Sequence, residues 1–426
     1  MVTEAPYGSW LSAITPDLFA KGNCKAICEL HATEDGVFWV EQNATGKREL
    51  YFQPSQQSKP KVRWAPQQSV QNCVHEYGGG SFIPISDGSV VYSTVEGVYH
   101  QSSADAQPVQ LADACERKFR FCDFSFSGSH VYCVNESHQK PGFDPENRLI
   151  SINRTTKEQK VVASGADFYA SPRASPDGKR LVWMQWNHIN MPWDETSIHM
   201  AMLNDDGTIS NETVVKDGTG KKVNYHCPSW TGSKLMMIND STNFWNLYEV
   251  DVESEFKEKN VFPVDREIGY PPWLFGDRPY ASNGSCIVMN VNGRLMYRRD
   301  CSVRSIPTPG YTVFSHLSIT QDDIVYTISA GPKKASCVLR IDISKEDQEP
   351  AISVVRTARD DSDLEDLDIS EPELIEFESD GVPSVSMLPP LDHNCSWREE
   401  KETKFAVPRN VVIESTSELL FIASGF

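Results

Sequence analysis

A tight turn followed within two residues by an unbroken apolar run recurs seven times along the 426 residues, and no other feature restricts the fold so strongly. The turns are Asp35-Gly36, Asp87-Gly88, Ser127-Gly128, Asp177-Gly178, Thr231-Gly232, Asn283-Gly284 and Asp322-Asp323. Runs such as Val37-Phe38-Trp39-Val40 and Leu181-Val182-Trp183-Met184 follow them. In Ser175-Pro176-Asp177-Gly178, proline presets one dihedral and glycine accepts a positive φ, so strands are expected on both sides. A run without alternation belongs to a strand lying between two packed sheets. The turns fall roughly 40 to 55 residues apart, near the repeat of a four-stranded propeller blade. Downstream rows such as Asn246–Asp251 alternate apolar with polar, as outer strands do. Gly, Pro, Asn and Asp clusters separate the runs, and no amphipathic helix interrupts them. The expectation is an all-β chain: a seven-bladed β-propeller of four-stranded antiparallel blades, with an acidic linker and a short C-terminal tail. Propellers exceed the usual domain size as one unit, so length does not force a division of the wheel.

The net charge of −19 argues against nucleic acid, whose affinity comes from clustered Lys and Arg, and favours cationic ligands such as a peptide ammonium. Eleven cysteines, odd in number and scattered, read as reduced core thiols; Cys24 and Cys28 alone are close, a weak half-site for zinc. No metal or cofactor is expected. The start of the chain lacks the basic and apolar segments of a signal peptide, and no run reaches the roughly 18 apolar residues of a membrane span. A cytoplasmic, membrane-free protein is expected. The seven Asn-x-Ser/Thr triplets, at Asn43, Asn135, Asn153, Asn211, Asn239, Asn283 and Asn394, are then turn chemistry.

Four groups of residues carry a family resemblance: Ala5-Pro6-Tyr7-Gly8-Ser9-Trp10 with the residues to Thr15, Val74-His75-Glu76-Tyr77-Gly78-Gly79-Gly80, the turn and run from Ser175 to Trp183, and Asn187-His188-Ile189-Asn190-Met191-Pro192-Trp193-Asp194. Pro228-Ser229-Trp230, Asn243–Tyr248 and Pro272-Trp273-Leu274-Phe275-Gly276 extend it. Together they resemble the N-terminal propeller of prolyl-oligopeptidase-family serine peptidases, in the dipeptidyl-peptidase and acylaminoacyl-peptidase-like branch. The resemblance implies a propeller that caps an α/β-hydrolase domain and admits short peptides. It covers residues 1 to about 395.

The family's chemistry requires a Gly-x-Ser-x-Gly nucleophile elbow followed by an acid and a histidine, and no serine in these 426 residues stands in that setting. No catalytic residue is therefore assigned. The sequence is expected to divide into a propeller at 1–358, an acidic linker at 359–373, a remnant of the hydrolase entry segment at 374–396, and a tail at 397–426. On this view the chain is truncated before its catalytic domain and inactive alone. The candidate substrate-binding residues are His75, Glu76 and Tyr77, because a carboxylate beside three glycines has backbone freedom to reach a channel and hold a peptide amine. Glu76 bonded to a neighbouring backbone group or arginine is the plain structural alternative. Asn187, His188 and Asp194 offer too few ligands for a metal and read as an ordered loop. Two function classes remain open: the substrate-gating propeller of a serine peptidase, and a stand-alone binding propeller. A metal-dependent lactonase is weaker, since no set of ligands from successive blades is apparent.

Overall fold

The computed structural model describes residues 26–56, 61–140, 144–345 and 348–359, together with four strands nearer the C-terminus. The chain divides into two compact units. The larger is a seven-bladed propeller in which every blade is an antiparallel sheet of four consecutive strands. Blade 1 spans residues 26–64, blade 2 82–113, blade 3 119–163, blade 4 168–217, blade 5 225–260, blade 6 280–305 and blade 7 313–357. No helix occurs among the described residues, and so none is long and apolar enough to cross a membrane.

Each of the seven turns joins the first strand of its blade to the second. Gly88 and Gly178 have φ of 84° and 71° there, in the left-handed region. Asp323 holds φ 60° without being glycine. Its carboxylate oxygens accept Arg299 Nη2 at 2.8 Å and Asn283 Nδ2 at 2.8 Å, so the turn of blade 6 fastens that of blade 7.

The apolar runs are second strands, and packing explains why they do not alternate. In Arg180–Trp186 of blade 4, Leu181 and Trp183 join a core shared with blade 3, while Val182 and Met184 join one shared with blade 5. Successive side chains point to opposite faces, and both faces are covered. Seven such clusters among the described residues correspond to the seven blade interfaces. Among the described residues no strand is exchanged between the ends of the wheel, and contacts made by side chains close it, two of them to backbone amides: Ala32 N donates to Ser318 Oγ at 3.2 Å and Gln321 N to Glu34 Oε1 at 3.1 Å. Trp39 and Val37 pack with Tyr326 and Val338, and Arg356 grips the buried Glu41 with two bonds of 2.7 and 2.8 Å.

First strands of neighbouring blades meet one another, which places them at the hub. Several are bulged, between Ala170 and Arg173 in blade 4 and between Ser315 and Ser318 in blade 7. A bulge removes an amide from the ladder, and a buried amide needs another acceptor. The preceding blade, or the link into it, supplies a carboxylate: Ser171 N donates to Asp123 Oδ2 at 2.6 Å, and His316 N to Asp277 Oδ1 at 2.8 Å. Glu29 likewise accepts Ser81 N at 2.7 Å and Ser81 Oγ at 2.6 Å where the chain enters blade 2.

Four buried cysteines, Cys122, Cys133, Cys286 and Cys337, fit the core-thiol expectation, but Cys73, Cys115 and Cys301 are exposed in connections. Turn chemistry holds at Asn43, Asn153, Asn239 and Asn283, whose side-chain oxygens accept the amide two residues on. Asn135 instead is buried within a strand of blade 3. The smaller unit contains a four-stranded sheet of Glu373–Ser379, Val382–Leu388, Ile413–Ser415 and Glu418–Leu420. Residues 360–372, which cover most of the expected acidic linker, and the N-terminal motif from Ala5 to Thr15 lie outside the described residues.

Asp123 caps an amide and also pairs with Arg173 at 2.7 Å, and both side chains are almost fully buried. Removing one partner of such a pair leaves a buried charge unmatched. Asp123→Ala is expected to lower unfolding stability by about 3–5 kcal/mol in urea titrations. A loss within about 0.5 kcal/mol, typical of surface changes, would contradict the capping role.

Candidate functional site at the mouth of the hub

Antiparallel order puts the link into each blade and the turn between its second and third strands on one face of the wheel. Three segments there converge: residues 65–81 between blades 1 and 2, 187–196 within blade 4, and 261–279 between blades 5 and 6. Blades 2 and 6 are not neighbours, yet Gly79 bridges Phe275, with Phe275 N donating to Gly78 O at 3.1 Å. The two links therefore cross the mouth of the hub.

The glycine run makes this crossing possible. A Cβ on Gly79, where φ is 96°, would lie 2.5 Å from the carbonyl oxygen of Phe275, and one on Gly80 would lie 2.9 Å from the backbone of Asp123. Asn72 secures the loop: its Nδ2 donates to Gly79 O at 2.9 Å and Ser81 Oγ at 3.0 Å, and its Oδ1 accepts Val74 N at 3.2 Å. His75 and Glu76 themselves have φ of 52° and 64°. Such consecutive left-handed residues are costly and persist where the surroundings impose them.

The three candidate residues point different ways. His75 is half-buried, its ring within 5.1 Å of Phe168, 6.0 Å of Trp186 and 4.9 Å of Phe275, and its amide donates to Glu136 at 2.8 Å. It is part of the loop's footing. Glu76 is 76% exposed, with one carboxylate oxygen on Arg120 at 2.7 Å. Arg120 also bonds Cys73 O at 2.5 Å and the buried Glu136 at 3.0 Å. The arginine partner thus exists, and an exposed carboxylate so paired offers an incoming ammonium about 1 kcal/mol or less. Tyr77 is 56% exposed and meets Trp273 edge to face at 5.3 Å. Trp273 in turn lies 4.4 Å from Trp193.

Sequence reading did not select this aromatic rim of Tyr77, Trp193 and Trp273 as a binding site. Pro271-Pro272-Trp273 and Pro192-Trp193 were its signal, since tryptophans that follow prolines in connections are poor core material. Arg120 and Glu136 gave none, because strand pairing brings them to the loop from two strands of blade 3. Asn187, His188 and Asp194 form an ordered turn: Asp167 accepts His188 N at 2.9 Å, and Asp194 accepts Met191 N at 2.8 Å. Among the described residues no group of His, Cys, Asp and Glu is arranged to hold a metal.

Burial pushes the pKa of His75 down, against the raising influence of Glu136 and Asn147. His31, His100, His130 and His226 move the same way, His226 to about 3. A histidine whose folded pKa is depressed contributes stability above its unfolded value of about 6.5 and loses it as pH falls below that value. The unfolding midpoint should therefore drop as pH is lowered from 7 to 5, and His75→Gln should reduce the drop. An unchanged slope in the variant would contradict the assignment.

No family model matches the sequence, and no curated protein matches it. Solved structures do. A puromycin-hydrolysing peptidase of Mycobacterium tuberculosis is 25% identical, with a TM-score of 0.76 over 91% of this chain and 61% of that one. The chain thus spans about three fifths of that peptidase's length. A prolyl endopeptidase at 13% identity matches 88% of this chain and 55% of its own, with a TM-score of 0.59. An oligogalacturonate lyase of Vibrio parahaemolyticus, 12% identical, covers 75% of this chain and 86% of its own at a TM-score of 0.52, and shares the fold alone. The chain's seven-bladed wheel is thus similar to the propellers of prolyl-oligopeptidase-family peptidases.

Proposed function

We propose that this chain is the substrate-gating propeller of a serine peptidase that acts on short peptides. The observation that carries the reading is the aromatic rim over the crossed mouth of the hub, in which Tyr77 and Trp273 are exposed and Trp193 is half-buried beside them. On this reading the two crossing links, bonded at Gly79 and Phe275, narrow the mouth and so favour slender chains over folded protein. Aromatic faces contribute contact area to any peptide side chain with little loss of conformational entropy. Glu76 beside them supplies a negative charge that favours a free amino terminus. In this reading 1–358 is the propeller, 359–373 a linker, 374–396 the entry into an α/β-hydrolase domain and 397–426 a tail. Acyl transfer belongs to that partner domain, because the 426 residues contain no Gly-x-Ser-x-Gly. A cytoplasmic setting agrees with nine described cysteines, none of which is in a disulfide.

The rim tryptophans report on the test. Tri- and tetrapeptides with a free amino terminus should change the intrinsic fluorescence saturably, Trp273→Ala should weaken binding about tenfold, and Glu76→Gln should erase any preference over N-acetylated peptides. The chain alone should not hydrolyse aminoacyl or dipeptidyl chromogenic substrates. Turnover abolished by a serine-directed label, or peptide binding indifferent to Trp273, would overturn the reading.

A further inference from the structure

Below the rim, the hub contains an arginine that no group among the described residues pairs with. Arg278 belongs to the link into blade 6, and its backbone is fixed to blade 7, with Leu317 N donating to Arg278 O at 3.0 Å. Its charge bears on His31 of blade 1, and it is influenced in turn by Asp123 of blade 3, Arg173 of blade 4 and Cys227 of blade 5. A side chain that senses so many blades at once lies near the axis. Among the described residues its guanidinium has no hydrogen-bond or ion-pair partner, and the residue is half-buried, so part of its surface stays accessible.

The neighbouring groups are already engaged. Asp123 holds Arg173 at 2.7 Å and Ser171 N at 2.6 Å. Asp277 accepts Tyr270 OH at 2.8 Å, His316 N at 2.8 Å and the amide of Arg278 at 2.7 Å, with His316 Nδ1 at 3.4 Å. Glu29 is taken by Ser81, and Tyr280 OH donates to Cys227 O at 2.6 Å. The field on the axis is positive at His31, whose pKa burial, Arg278, His316 and Arg173 all push down. Burial and Arg173 likewise pull Arg278 down to about 10, still far above neutrality, so the guanidinium stays charged.

We propose that the hub is an oxyanion site anchored on Arg278, and that it takes the carboxylate of a short peptide whose other end rests on the aromatic rim. A guanidinium presents two parallel N–H donors that match the two oxygens of one carboxylate. The charge of Asp123 reaches Arg278 and disfavours a second negative charge there, which selects a carboxylate over a phosphate dianion. The peptide part of the proposal rests on the functional reading above; the anion site stands independently of it.

Titration of the whole chain with triglycine, triglycine amide, acetate and inorganic phosphate tests both, by calorimetry and by the arginine side-chain NMR signals. Triglycine should bind about tenfold or more tightly than its amide, as the loss of one charge-assisted pair implies. Arg278→Gln should make the two equal, Arg278→Lys should restore part of the difference, and acetate should shift the Arg278 signals in the unaltered protein. A folded-state check by near-ultraviolet dichroism accompanies the variants, and the acetate titration needs none. Equal binding of acid and amide, or discrimination that survives Arg278→Gln, would overturn the site. Shifts with acetate but no binding of either peptide would keep the site and refute the peptide reading. Peptide binding with Arg278 unmoved by acetate would do the reverse, and tighter binding of phosphate than acetate would refute the choice of carboxylate.

Discussion

A carboxylate reaching across to a backbone amide of the next blade is the interaction on which the hub depends. Glu29, Asp123 and Asp277 do this for Ser81, Ser171 and His316. First strands crowd one another at the centre of a wheel, and bulges relieve the crowding by turning the strand aside. Each bulge then strands an N–H in a buried place, where leaving it unmade costs about 1–3 kcal/mol. The acidic side chain answers that cost and, being anionic, does so more strongly than a neutral acceptor. It also introduces charge into the hub, which Arg173 matches at Asp123. The unusual chemistry of the axis follows from a packing problem.

Closure of the wheel obeys the same economy of side chains. Seven sheets of consecutive strands leave blades 7 and 1 without a shared strand, so their seam relies on apolar contact and on the Arg356–Glu41 pair. Two links crossing at Gly79 and Phe275 tie blade 2 to blade 6 through the centre. That crossing joins the fold to the site: it narrows the mouth and presents Tyr77 and Trp273 outward from rigid neighbours.

The wheel was legible in the sequence because its repeat is local. Every turn and its apolar run lie within a few residues, and a run such as Leu181–Met184 shows no alternation precisely because a second strand is covered on both faces. The glycine run after Tyr77 stood out in the sequence, but its close approach to Phe275 and Asp123 did not. The site was less so. Glu76 stood out by its neighbours in sequence, but Arg120 reaches it from blade 3, and pairings between strands leave no trace in spacing. Trp193 and Trp273, eighty positions apart, meet only because their connections open on one face. Arg278 looked like any surface arginine; its place on the axis is a property of the closed ring.

Native-state hydrogen exchange tests the carboxylate-stitched hub most directly. If those bonds hold the wheel together, the amides of Ser81, Ser171 and His316 should exchange only through global unfolding, with the same protection and the same denaturant dependence as the second-strand amides of Val182 and Trp183. Exchange of these three amides by local opening, at free energies well below that of unfolding, would contradict the account.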